Sequence, residues 1–289
     1  MTATPATRGR SAPFRPWRIA LYVAVIGAAI LYALPLAWML SASVRSATEI
    51  SRQPIDFLPR ILHWENYTAP WASYPFTSFY RNTIVITVMS VLGTLFTGSL
   101  VAFAFARMRF RGRGFLFVLV LSTMMLPSQV TLIPIYVLWS KLHFVNTIVP
   151  LIVPSFFGGE YAYAFSVFLL RQYMLTIPME IDDAARIDGA SWFQIYSRVI
   201  VPMSAPALGA VAIFNIASQW NDFLKPLIYL NTPDNFTVPL GLMLLSGRFD
   251  SEIGQVMAQT TLSMLPMIVV FFFAQRNYVQ GNVVSGVKG

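Results

Sequence analysis

The chain has 289 residues, of which 56% are hydrophobic and only 11% charged. That is less than half the charge an ordinary soluble domain carries, so such a fold is excluded. Its formal charge of +8 does not signal nucleic acid, because the basic residues are divided among separate segments and form no single basic face.

Charge-free apolar stretches of at least about 18 residues mark helices that cross a hydrocarbon core about 30 Å thick. Six are expected, at about residues 19–43, 82–106, 115–139, 146–170, 202–224 and 254–275, within a membrane domain covering 18–276. The fold class expected is therefore an all-α membrane protein with six transmembrane helices.

Residues 1–17 are small, basic and proline-containing, and are expected to be a flexible cytoplasmic tail. The apolar run from Ile19 to Leu40 exceeds the 7 to 15 residues usual for the core of a cleaved signal, which favours a retained span. Residues 45–79 form the longest external segment and are rich in aromatics, including Trp64, Tyr67, Trp71 and Tyr74. Such residues anchor the headgroup layer or offer a surface to an external partner. Pro127 and Pro134 in the third span, and Pro266 in the sixth, are expected to kink their helices. In the fourth span, Gly158 and Gly159 disfavour continuous helix, and the carboxylate of Glu160 either faces a cavity or sits hydrated at a helix break.

Basic residues set the orientation. Arg8, Arg10, Arg15 and Arg18 precede span one, Arg107, Arg109, Arg111 and Arg113 follow span two, and Arg171, Arg186 and Arg198 follow span four. This bias places both termini in the cytoplasm.

Between spans four and five lies the most informative segment, residues 176–201, on the same cytoplasmic side. Pro178 suits a first helical turn, and Glu180, Asp182 and Asp183 are acids at its positive end. Gly189 supplies a stop, and Ser191 with Gln194 matches a capping box that restarts the chain as helix. Trp192, Ile195, Tyr196, Val199 and Ile200 then form an apolar stripe at helical spacing. The stripe fits a partner surface, internal packing or the membrane interface.

The string DDAARIDGASWFQIYSRVIVPMSAP resembles the coupling-loop signature of binding-protein-dependent ABC importer permeases. Asp183, Ala184, Ala185, Gly189 and Pro202 occupy its acid-Ala-Ala, Gly and Pro positions, with Asp183 in place of the usual Glu, and Asp188-Gly189-Ala190 strengthens the match. LPSQVTLIPIYVLWSKLHFVNTIVPLIVPSFF (126–157), WNDFLKPL (220–227) and NYVQGNVVSGVKG (277–289) look like the second permease subunit of carbohydrate importers of the maltose and glycerol-3-phosphate type. The likeness loosens around Gly158 to Tyr163.

This resemblance implies a coupling site at Glu180, Asp183, Ala184, Ala185, Asp188, Gly189, Ala190 and Pro202, touched by two cytoplasmic ATP-binding subunits. It also implies a second permease subunit, an external solute-binding protein and a sugar-like solute, with ATP and Mg held by the partner ATPase subunits and no cofactor here. The C-terminal segment 277–289 would reach the ATPase dimer. A glycerol-3-phosphate or glycerophosphodiester importer is the alternative within the family.

The chain itself has no GxxxxGK[ST] phosphate loop. Candidate pathway residues are Asn215, Gln219, Trp220, Asn221 and Asp222 on span five, with Glu160, and Gln255 and Gln259 on span six. A sugar needs hydrogen-bonding groups beside an aromatic face, although polar residues in spans also hold helices together. A membrane enzyme is disfavoured by the lack of cysteine and of H-E-x-x-H or G-x-S-x-G motifs. An ion-gradient carrier would have only Glu160 as an intramembrane coupling charge.

Overall fold

The computed structural model describes residues 16–51, 57–159, 161–247 and 253–285. Residues 1–15 of the expected tail, and Glu160, lie outside them.

Helix α1 (Pro16–Ser43) starts on a proline, where a missing N–H breaks no helical bond, and continues through Pro35. A short α2 (Ala47–Ile50) is capped by the Ser46 hydroxyl, which accepts from the Glu49 N–H. After α3 (Glu65–Ser73) comes α4 (Phe76–Arg107), an unbroken 32-residue helix. Next, α5 (Arg113–Ser122) tightens into a 3-10 turn at Thr123–Met125 and is followed by α6 (Ser128–Lys141). The axes of these two segments differ by 98°. Pro127 lies between them and forces Leu126 into the extended region, as a residue before proline prefers.

The fourth expected span is also interrupted. Two single turns, α7 (Val149–Ile152) and α8 (Pro154–Phe157), end at Gly158, whose φ of 83° suits a residue without Cβ. The chain resumes as α9 (Tyr161–Thr176).

The cytoplasm-facing segment of the sequence reading holds α10 (Met179–Ile187) and α11 (Trp192–Gln194). From α11 the helix widens into a π turn at Ile195–Ile200 and closes as α12 (Val201–Met203). At Ser204 the axis turns by 76° into α13 (Ala205–Trp220). The fifth span was expected to reach residue 224, but α13 ends at Trp220. Asp222 instead accepts the Lys225 N–H and starts α14 (Leu224–Tyr229). A 3-10 turn at Pro233–Asn235 leads to α15 (Val238–Ser246). The last helix, α16 (Ile253–Ser285), contains Pro266 without a break and runs past residue 277.

No strand occurs among the described residues. Trp17–Ser43, Phe76–Arg107 and Ile253–Phe273 are each long and apolar enough to cross a membrane, and the two bent pairs pass the same test when each is taken as one span. On α1, Val23, Leu31 and Tyr32 are more than half exposed, a surface that suits hydrocarbon rather than water.

Helix α4 is the central post. Near its start Phe76 and Phe79 pack with Leu151, Tyr229, Phe236 and Val238. Near its end Ala102, Phe103 and Phe105 pack with Val167, Leu170, Ile195 and Ile200.

Candidate functional site

The bend between α9 and α13 is built by local chemistry. Gly189, at φ 82°, donates its N–H to the Arg186 carbonyl at 3.0 Å, and Ala190 donates to the Ala185 carbonyl at 2.9 Å. These two bonds form a Schellman closure, which ends a helix by satisfying its last carbonyls. Ser191 then caps the next helix. Its hydroxyl accepts the Gln194 N–H at 3.4 Å, while Gln194 Oε1 accepts the Ser191 N–H at 2.7 Å. The expected capping box is therefore present.

The apolar stripe after Ser191 packs inward against the chain itself. Ile195 and Ile200 are fully buried and Tyr196 nearly so, among residues of α4 and α9. Trp192 is partly exposed, its ring meeting Phe103 edge-on and the Arg186 guanidinium 5.3 Å from its centroid. Most of the residues named in the signature that are left outward belong to the first helix and its turn. Glu180, Asp183, Ala184, Asp188 and Gly189 are exposed, as is Pro202, while Ala185 and Ala190 are half-buried. Beside them Ile187 is 87% exposed and Phe193 is also open.

Two adjacent acids part company here. Asp183 faces out, whereas Asp182 is buried with its Oδ2 3.5 Å from Nη1 of Arg107, the last residue of α4. The sequence reading did not pair these two. Only the helical period offered a signal, since Asp182 and Ala185 recur on one face of α10. Arg107 Nη2 also donates to the Ile177 carbonyl at 2.8 Å, and Nη1 lies against Met179 Sδ. Neither Asp182 oxygen has a hydrogen bond among the described residues. Burial pushes this carboxyl above the usual range, Arg107 pulls it back, and the neighbouring Asp183 adds to the rise.

The polar residues of the fifth span do not converge on one cavity. Asn215 is buried, its amide donating to Ser166 Oγ at 3.0 Å and to the Val211 carbonyl at 2.9 Å. Gln219 is buried too, and Trp220 is turned inward with Nε1 donating to the Ser263 carbonyl at 3.0 Å. Asp222 is held by Lys225 at 2.9 Å. Asn221 is exposed and lines an open hollow of about 320 Å³ with Ser263, Met264 and Phe271. An apolar cavity of about 250 Å³ lies between α4, α13 and α16, bordered by Thr87, Val91, Ile216 and Trp220.

Gln259 of α16 is fully committed elsewhere. Its Oε1 accepts from Trp71 Nε1 at 3.1 Å, and its amide donates to the carbonyls of Asn66 and Tyr67. No group of three or more His, Cys, Asp or Glu suited to a metal occurs among the described residues.

Residues 93–282 match the family model described as binding-protein-dependent transport system inner membrane component. The chain is 33% identical over 283 residues to the arabinooligosaccharides transport system permease protein AraQ of Bacillus subtilis (strain 168), covering 96% of this chain and 99% of that one. It is 29% identical over 254 residues to the lactose transport system permease protein LacG of Rhizobium radiobacter, covering 88% and 90%. Its fold matches, with a TM-score of 0.79 and 24% identity, a chain of a bacterial ABC transporter involved in the import of the acidic polysaccharide alginate, covering 92% and 99%.

Proposed function

The chain belongs to the binding-protein-dependent transport system inner membrane components and is a multi-pass ABC transporter permease of the cell membrane; on that footing we propose that it forms half of an importer pathway for a sugar or sugar-like solute. A second permease subunit completes the pathway, two ATP-binding subunits drive it, and an external binding protein delivers the solute. The names of AraQ, LacG and the alginate importer support the carbohydrate class. ATP and Mg belong to the partner subunits, and this subunit does no chemistry of its own.

One observation carries the reading: a short helix ending in a Schellman turn presents exposed Glu180, Asp183, Ala184, Asp188 and Gly189 while its other side is buried against the chain. Small residues let a partner approach the backbone, and the acids suit a basic rim on that partner. Ile187 at 87% exposure gives the contact an apolar anchor. Ala185, Ala190 and Pro202 complete the set as its supports.

In the same reading the membrane domain spans 18–276 with six crossings, α7 to α9 together making the fourth, and both termini are cytoplasmic. The C-terminal segment 277–289, whose last four residues lie outside the described ones, is assigned to the ATPase pair. For the solute, Asn221 is the open side chain of the span-five group. Asn215, Gln219, Trp220 and Asp222 are the further candidates of that group, and Glu160, which lies outside the described residues, stays a candidate from the sequence.

Because the chain has no cysteine, single cysteines report cleanly. Ala184→Cys is expected to resist a membrane-impermeant thiol reagent in intact cells, to react in inverted vesicles, and to crosslink to an ATP-binding subunit in the assembled complex. Trp64→Cys, in the external segment, is expected to show the opposite accessibility. Labelling of Ala184→Cys from outside would refute this reading.

A further inference from the structure

The face of α10 that points away from the docking surface is held by a single side chain at three successive places. Arg107 donates to the Ile177 carbonyl before α10, touches Met179 in its first turn and pairs with Asp182 at 3.5 Å. Both paired side chains are about 1% exposed.

The second helix of the bend is held by the same post. Ser99 Oγ of α4 and the Tyr196 hydroxyl, inside the π turn, are hydrogen-bonded at 2.8 Å. The Phe103 ring lies 5.4 Å from that of Tyr196. At its far end α4 holds the outer loops, with Asn82 Nδ2 donating to the carbonyls of Asp234 and Phe236. There Thr83 Oγ1 also accepts the Val238 N–H at 2.9 Å. At 1.5 Å per residue, 32 residues reach roughly 48 Å, and α4 contains no proline to flex it. The covalent route into α13, by contrast, turns 76° at Ser204.

Building on the docking role of α10, we propose that Arg107 and Asp182 are a positioning pair that clamps the docking helix to α4, so that displacement of α10 travels along α4 to the outer loop at residues 232–238. The pair is set up for geometry more than for stability. Burying two charges costs heavily, and the attraction at 3.5 Å, without a hydrogen bond to the carboxylate, returns only part of it. What the pair supplies is a contact that cannot be slid apart cheaply, since separating it leaves a buried charge alone.

The test uses the whole complex in vesicles, with spin labels at Trp64→Cys and Asp234→Cys, both on exposed outer positions. The distance between them is measured with and without ATP and vanadate, beside the rate of ATP hydrolysis. An unmodified pair is expected to show an ATP-dependent distance shift. Asp182→Asn and Arg107→Met are expected to lose that shift while the ATP-binding subunits stay bound and hydrolyse ATP, and Asp182→Glu is expected to recover part of it. The double variant Arg107→Met/Asp182→Leu, which refills the site with apolar groups, separates stability from coupling. It is expected to unfold no earlier than the unmodified chain and still to lack the shift.

A full shift in the double variant, or none with the pair intact, would overturn the clamp. A complex that never retains ATP-binding subunits would instead overturn the docking role on which the clamp rests.

Discussion

Asp182 and Asp183 show how little separates an outward-facing acid from a buried, structural one. A rotation of 100° per residue carries one side chain into the protein and its neighbour outward. The buried carboxyl has its pKa raised, so the folded state holds a proton more tightly than the unfolded chain does. Its charged form therefore weakens the fold above the raised value, and that loss disappears as pH falls below the ordinary carboxylate range. Thermal unfolding of the unmodified complex, compared with Asp182→Asn, is expected to improve on acidification from neutral pH towards that range. At Gly189, with φ 82°, an added Cβ meets no neighbour, so the cost of Gly189→Ala is backbone strain alone. That strain is about 1–2 kcal/mol, expected as a lowered unfolding midpoint, with Gly189→Asn milder because asparagine tolerates the left-handed region.

At the scale of elements, the end of the molecule where α3 meets α16 is tied by amides rather than by apolar packing alone. The fully buried Gln259 joins α16 to α3 through Trp71, Asn66 and Tyr67, while Asn66 Nδ2 donates to the carbonyls of Ser43, the last residue of α1, and of Arg45 just after it. Gln259→Leu leaves a buried indole N–H and two carbonyls without that partner, at a cost of about 1–3 kcal/mol. Faster limited proteolysis between residues 45 and 79, with no loss of the ATP-binding subunits, is the expected result. Nothing in an amide's spacing along a span announces this use. Gln259 and Asn215 suit a solute as well as a neighbouring helix until the neighbour's position is known.

For the whole molecule, the bilayer supplies what water cannot. Helix α1 packs largely against α16 and leaves Leu31 and Tyr32 facing outward at 66% and 81% exposure. An arginine near the centre of a span costs about 2.5–3.5 kcal/mol on insertion. Leu31→Arg is therefore expected to lower the membrane-integrated yield, measured by alkaline extraction. Tyr22→Lys, nearer the helix end, is expected to be tolerated because its stem can reach the headgroups.

Membrane class, the capped turn at Gly189 and Ser191, the break at Gly158 and the acid-Ala-Ala signature were all legible in the sequence. Each depends on residues within a few positions of one another, where φ preference, capping and hydropathy act directly. Tertiary structure alone decided that the stripe after Ser191 packs inward, that Pro127 turns the chain sharply while Pro266 does not, and that Arg107 reaches Asp182 across 75 positions of sequence. Those outcomes depend on which surfaces are brought together by burial, and that pairing is a property of the assembled helices, not of any local run of residues.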